Sequence, residues 1–203
     1  MSARRAAVLG AGGHAKVVIA TLEAAGWEVV GVFDDAEDRW GGEILGLRVR
    51  GPLGAARETA IDGAVIAVGD NRAREDVAGR IDLPWVAVAH PAAAVHPSAA
   101  LGPGTVVFAG AVIQPDTIVG RHAIVNTAAS VDHDCRLGDF VHVAPGARLA
   151  GNITVGDGAL VGIGSSVMPG VRIGAWASIG AGAAVVREVE RGSTVVGVPA
   201  RPR

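Results

Sequence analysis

An aliphatic residue falls at every sixth position from Val95 to Val185, sixteen times without a miss. The series runs Val95, Leu101, Val107, Ile113, Val119, Val125, Val131, Leu137, Val143, Leu149, Val155, Val161, Val167, Ile173, Ile179 and Val185. Four residues after each member comes a small or β-branched residue, among them Ala99, Thr105, Ala111, Thr117, Ala123 and Ala129. A period of six matches neither the helix at 3.6 nor the strand at 2.0. It matches short strands separated by turns and wound into a coil, the pattern of a hexapeptide β-helix. One hexad cannot bury its own aliphatic side chain, so it must stack on its neighbours. At three hexads per triangular turn, the run predicts a little over five coils. With strands about 4.8 Å apart, they form a prism roughly 25 Å tall. The aliphatic series fills its interior, and Gly102-Pro103-Gly104 and Pro169-Gly170 supply tight turns.

Residues 1 to 92 carry a different pattern. Ala6 to Leu9 reads as a short buried strand, followed by Gly10-Ala11-Gly12-Gly13-His14 and a helical run from Ala15 to Ala25. Glu28 to Phe33 reads as a second strand that closes on Asp34-Asp35. Ala64 to Val68 is a third, ending at Gly69-Asp70-Asn71 before a charged helical stretch through Arg80. Trp85 to Ala89 is expected as a fourth, and His90-Pro91 marks the exit. Strands alternating with helices predict a small parallel sheet with helices on both faces. The expected organisation is an α/β, Rossmann-like half-domain over residues 1–92. An all-β parallel β-helix with a C-terminal extension follows over residues 93–203.

Bulk properties narrow the function. A net charge of −2 over 203 residues provides no electrostatic footprint for nucleic acid. The mean hydropathy of +0.39 is high, yet no run of consecutive apolar residues approaches the roughly 18 that a membrane helix needs. No apolar segment of signal-peptide length separates Arg4-Arg5 from the glycine loop, so a soluble, cytoplasmic protein without membrane insertion is expected. The single cysteine, Cys135, excludes an intrachain disulfide. It falls in the small register of the repeat and reads as a packed core thiol.

Two clusters could carry chemistry. Gly10-x-Gly12-Gly13 follows a strand and opens a helix, which aims backbone N–H groups and a helix N-terminus at an anion. Asp34 stands where dinucleotide folds keep an acidic ribose contact, but position 15 is Ala, so the third glycine of that fingerprint is missing. His14 and Lys16 could meet phosphate charge, and Asp34-Asp35 could accept from a base or ribose. A nucleotide or nucleotide-sugar site therefore stands beside a merely tight βα turn; one half-sized module does not suit a redox dinucleotide. The second cluster is Asn126-Thr127, then Asp132-His133-Asp134-Cys135, with His142 nine residues after His133. The phase of the repeat turns His133 away from the aliphatic interior. A carboxylate from Asp134 on one ring nitrogen would raise the basicity of the other. Taken alone, the pair also fits a solvated surface histidine. His122, His133 and His142 lack the eighteen-residue spacing that would stack them, so no metal site is expected.

The segments VNTAASVDHDC, GDFVHVAPGARLAGN, VGIGSSVMPGVRIG, IGAGAAVV and VVGVPAR closely resemble bacterial hexapeptide sugar acetyltransferases. The nearest group is the nucleotide-amino-sugar N-acetyltransferases of bacillosamine or perosamine type (PglD-like), with sialic acid O-acetyltransferases (NeuD-like) as relatives. GAGGHAK, FDD and VGDNRARE extend the resemblance over nearly the whole chain. The resemblance implies a left-handed coil, acetyl-CoA as co-substrate and a homotrimer with active sites between adjacent prisms. It implies His133 as the general base toward a sugar amine. Asp134, standing where many relatives have Glu, would orient it, and Asn126 would lie near the sugar. Gly12, Gly13, His14, Asp34, Asp35 and Gly69 would line the nucleotide-sugar site, and His142, Ile163 and Ala181 would contact acetyl-CoA. The product would enter surface-glycan or glycoprotein precursor synthesis. Three other readings fit parts of the chain: a sugar O-acetyltransferase, a non-catalytic nucleotide-sugar sensor and a γ-class carbonic anhydrase.

Overall fold

The computed structural model describes residues 3–203. The N-terminal module is a three-stranded parallel sheet with β1 (Arg4–Leu9) between β2 (Trp27–Phe33) and β3 (Gly63–Ile66). Helix α1 (Gly13–Ala24) follows β1, and α2 (Asn71–Arg80) follows β3. Parallel neighbours need such crossovers, and both faces of the sheet are covered as a result. On one face Ala15, Val18, Ile19 and Leu22 of α1 pack on Ala6, Val8 and Val65. On the other, Val77 of α2 and Ile81 pack on Ala7, Leu9 and Ile66.

The expected fourth strand divides between two sheets. Trp85 bridges to Ala64 and extends the α/β sheet, whereas Val88–Ala89 pairs with Val106–Val107 as the first rung of the prism. The backbone makes the change within a few residues: Val86 N–H donates to Ala64 C=O, and Val88 N–H donates to Thr105 C=O. The coil thus begins before residue 93.

From there the chain winds as a left-handed parallel β-helix of about six turns. Residues stack on partners eighteen positions away, as in Ile124 on His142 and Ser130 on Arg148. The first face carries the strands at Val88, Val106, Ile124, His142, Leu160, Ser178 and Thr194. The second carries those at Ala94, Val112, Ser130, Arg148, Ser166 and Ala184, and the third those at Ala100, Ile118, Arg136, Thr154 and Arg172. The aliphatic series and the small register fill the interior, with Val125, Val131, Cys135, Val143 and Val161 fully buried. Burial pushes the Cys135 thiol pKa up, as befits a core residue. The phase ends after Val185. Val189 sits over Ile173 and Val195 over Ile179, so the last coil spans 16 residues (189 − 173) instead of 18.

A further register escaped the sequence pattern because its residue types differ. Every sixth residue from Gly104 to Gly182 has a left-handed backbone, with φ near +60°. Glycine fills many of these corners, but Asp116, His122, Ala128, Asp134, Phe140, Asn152 and Trp176 fill the others. A side chain there is sterically disfavoured, most of all a bulky one. Such positions persist only where the surroundings over-determine them.

The two modules share a core. Helix α1 lies between the sheet and the first prism face, where Val88, Val106, Phe108 and Ile124 join its apolar cluster.

Candidate active site

The glycine loop is held open by its own chain. Gly10, at φ 110°, donates its N–H to Phe33 C=O at 2.7 Å, tying the β1 exit to β2. Asp34 Oδ2 accepts from Ala11 N–H at 2.6 Å and from Arg39 Nη1 at 2.9 Å. No side chain caps α1, whose first helical turn carries no acidic residue. Gly12, Gly13, Lys16 and Arg39 line a cavity of about 370 Å3 at that end. Asp38 and Glu43 also line it and Arg39 is paired with Asp34, so the free N–H groups, the positive end of the helix dipole and Lys16 are what suit it to an anion. Of the residues expected to act together here, Asp35 turns the other way. Its carboxylate accepts from Leu53 N–H at 3.0 Å and from Arg80 at 3.1 Å.

His14 also leaves the loop. Its ring meets Phe108 edge-on at 5.4 Å and lies 6.3 Å from His142 of the prism. The seam it enters is organised by Arg74, which is 1 % exposed. The Arg74 guanidinium donates to the carbonyls of His122, Phe140, Val68 and Gly69, and to Asn71 Oδ1. Asn71 in turn donates to the Gly158 and Ala159 carbonyls. The first turn of α2 is thereby fixed to one corner of the prism. The sequence carried a signal for this, since Arg74 falls on the same helical stripe as Val77 and Ile81. A charged residue on a buried stripe needs several acceptors, and prism-corner carbonyls supply two of them.

This seam sets the charge of three histidines. Burial, with the Arg74 charge behind it, lowers the pKa of His14 to about 4. Burial first, then Arg121 and Arg74, does the same to His122. His142 also falls to about 4, through burial, Arg74 and His14, against a hydrogen bond to the Gly69 backbone. The other nitrogen of His142, Nε2, lies 3.0 Å from Asn126 Nδ2. The amide donates there, so His142 is a neutral ring with its proton directed at the α/β module. Arg74 falls to about 10 by burial and stays charged at neutral pH.

Next to His142 opens a cavity of about 700 Å3 between the α2 N-terminus and the first prism face. It contains Gly69, His142, Ile163 and Ala181, which the resemblance divides between two ligands. Small and apolar residues, among them Ala144, Gly162 and Gly180, make most of the prism side. Such a strip suits a long, thin, largely apolar ligand arm with polar ends.

His133 stands elsewhere. It occupies the corner joining the second and third faces, the one prism edge that the first face does not touch. Its Nδ1 lies 2.8 Å from Asp134 Oδ2, so the shorter acid spans the gap. Both side chains are about 60 % exposed. The Asp134 hydrogen bond raises the His133 pKa above its ordinary value. With Nδ1–H held by the carboxylate, Nε2 is the free acceptor. His133 and His142 thus have opposite electrostatic settings and lie on different parts of one prism. Among the described residues no group of three His, Cys, Asp or Glu side chains could hold a metal ion. No helix among them is long and apolar enough to cross a membrane.

Residues 5–81 match the family model for the PglD N-terminal domain, and residues 152–187 match that for the bacterial transferase hexapeptide repeat. Among solved structures, PerB from Caulobacter crescentus in complex with CoA and GDP-perosamine is 41 % identical, with a TM-score of 0.90 over 98 % of this chain and 96 % of that one. The acetyltransferase domain of PglB from Neisseria gonorrhoeae, in complex with acetyl coenzyme A, is 37 % identical, with a TM-score of 0.91 over the whole of both chains. No curated protein sequence matches. The chain belongs to the PglD-like hexapeptide acetyltransferases. It is an acyltransferase of a family whose relatives bind CoA or acetyl-CoA. The walls of the cavity beside His142 are small and largely apolar on the prism side.

Proposed function

We propose that this protein transfers the acetyl group of acetyl-CoA to the amine of a nucleotide-linked amino sugar, with His133 as the general base. The observation that carries the reading is the His133–Asp134 pair, a base whose Nδ1 is oriented by a carboxylate oxygen at 2.8 Å and whose Nε2 is open. His142, Ile163 and Ala181 border the cavity for the donor. Because base and cavity lie on different prism edges, the complete site needs a second copy. A homotrimer of side-by-side prisms brings His133 of one subunit to the donor cavity of the next. The relative with bound GDP-perosamine makes a GDP-linked amino sugar the first acceptor to test.

In this site Gly12 and Gly13 direct N–H groups at the diphosphate, and Asp34 closes the loop around it. His14, Gly69 and Asn126 border the path of nucleotide and sugar, whereas Asp35 faces Arg80 and takes no part. The neutral sugar amine attacks the thioester carbonyl carbon, forming the C–N bond. His133 Nε2 takes the proton from the attacking nitrogen, and collapse of the tetrahedral intermediate breaks the C–S bond. The CoA thiolate leaves and gains a proton, so the products are the acetamido sugar and CoA–SH. Holding amine and thioester in contact, with a base in reach, supplies most of the acceleration. Both substrates belong to the cytoplasm, and the product is a precursor for surface glycans or glycoproteins.

The test is a panel of GDP-, UDP- and dTDP-linked amino sugars with acetyl-CoA, followed by free-thiol release and product mass spectrometry. One amino sugar should turn over with gain of an amide-linked acetyl group. Acetylation of hydroxyl acceptors alone would replace this reading with an O-acetyltransferase, and CoA release with no acceptor modified would overturn it.

A further inference from the structure

The 700 Å3 cavity has little polar character at the prism, yet coenzyme A carries several phosphate charges that must be met somewhere. Among its lining residues Arg72 is the one permanent cation, since His142 is neutral near pH 7. Arg72 is not idle on the surface. Its guanidinium carbon lies 3.6 Å from the ring centroid of Trp176, a stacked cation–π contact between α2 and the prism.

Trp176 is held there at a cost. It occupies a left-handed corner with φ of 60°, in the register that Gly158 and Gly182 fill elsewhere. Its ring lies on the backbone of Gly158 in the preceding coil, where a methyl group would overlap it. Asn71, the neighbour of Arg72, donates to the Gly158 and Ala159 carbonyls and fixes the same turn of α2 to the same corner. Gly158, Trp176 and Arg72 therefore form a three-layer stack at the cavity wall. Among the described residues Arg72 has neither a carboxylate partner nor a hydrogen-bond acceptor. Stacking orients the guanidinium plane and leaves its N–H edge free, a geometry that suits phosphate. The one carboxylate in the lining, Asp70, is engaged at the α2 N-terminus, where Oδ1 accepts from Ala73 N–H at 2.8 Å.

We propose that Arg72, stacked on Trp176, is the phosphate anchor for the coenzyme A moiety and sets the preference for acetyl-CoA over shorter thioesters. The inference rests on acetyl-CoA occupying this cavity. Two substrates bring phosphate to the protein, and the donor is favoured because the glycine loop, with Lys16 and Arg39, forms a separate cavity for the other.

The experiment compares acetyl-CoA with S-acetyl-pantetheine, which lacks every phosphate, on the full-length protein at saturating amino sugar. In the R72A variant kcat/KM for acetyl-CoA should fall about tenfold, the worth of one charge-assisted hydrogen bond. S-acetyl-pantetheine should lose nothing, so the donor preference collapses; R72K should recover part of it. Equal loss with both donors, or no loss with either, would overturn the inference. A rise confined to KM for the nucleotide sugar would assign the anchor to the other substrate and overturn it as well. Calorimetric titration with CoA itself, on wild type and R72A, reads the same contact if the acceptor reading fails. Thermal melting of R72A and R72Q separates loss of the anchor from loss of fold.

Discussion

The seam between the modules and the bare corner at His133 place the same side chain in opposite conditions. At the seam His14, His122 and His142 are walled in around a buried guanidinium, and each is driven to a pKa of about 4. At the corner, His133 stands in solvent with a carboxylate on Nδ1, and its pKa rises. Neutral rings at the seam make fixed contacts and exchange no proton near pH 7. The corner ring has Nε2 open to solvent, where it can take up a proton. Environment, not residue type, separates the structural histidines from the candidate base.

The most severe break in this contrast is at the corner. H133A should lower kcat by a factor of about 10^2 to 10^4, the range for loss of a positioned base. Its melting temperature should hold, because the side chain is largely exposed; steady-state kinetics beside a thermal melt reads both. Wild-type turnover would move the base elsewhere. At the seam the expectation is reversed. Arg74→Met leaves the His122, Phe140 and Val68 carbonyls without their buried donor and should cost on the order of 3–5 kcal/mol of stability. Chemical denaturation should record that loss, and limited proteolysis should cut between the modules before the prism itself opens.

Acid sharpens the comparison without mutation. A histidine with a folded pKa near 4 and an unfolded value of 6.5 binds its proton more readily in the unfolded chain. Its contribution is complete above pH 6.5 and is lost as pH falls toward 4. Each such ring adds a slope of up to about 1.4 kcal/mol per pH unit within that window. Denaturation midpoints between pH 7 and 4 should drop steeply in wild type and less steeply in H122F. The smallest effect belongs to the corner again. D134N removes the carboxylate that raises His133, so the acid limb of kcat/KM should move to lower pH, accompanied by a modest fall in the plateau rate.

How far each part was legible depended on what its residues must satisfy. The prism was legible because a stacked interior tolerates only aliphatic side chains at one position per hexad, and Val95 to Val185 keep that rule. The start of the coil at Val88 was missed, since Ala89 is small and its strand also reads as a continuation of the α/β sheet. The corner register was missed too: φ near +60° is imposed by coil closure and was met by Asp134 and Trp176 as well as by glycine. Asp34 and Asp35 illustrate a different limit. Adjacent residues leaving a strand point to opposite sides, so one closes the glycine loop and the other faces Arg80.

The sequence by itself determined the β-helix, the glycine loop at the mouth of a small parallel sheet and the outward direction of His133, because each follows from local periodicity and chain geometry. Only the tertiary structure decided that Arg74 joins the modules, that His142 is a neutral wall of the long cavity, and that Arg72 lies on Trp176. Those facts depend on desolvation and on contacts between residues far apart in the chain, such as Asn71 with Gly158. Spacing within the module marks Arg74 as part of a buried helical stripe, but no spacing records the partners of Arg74, His142 or Arg72.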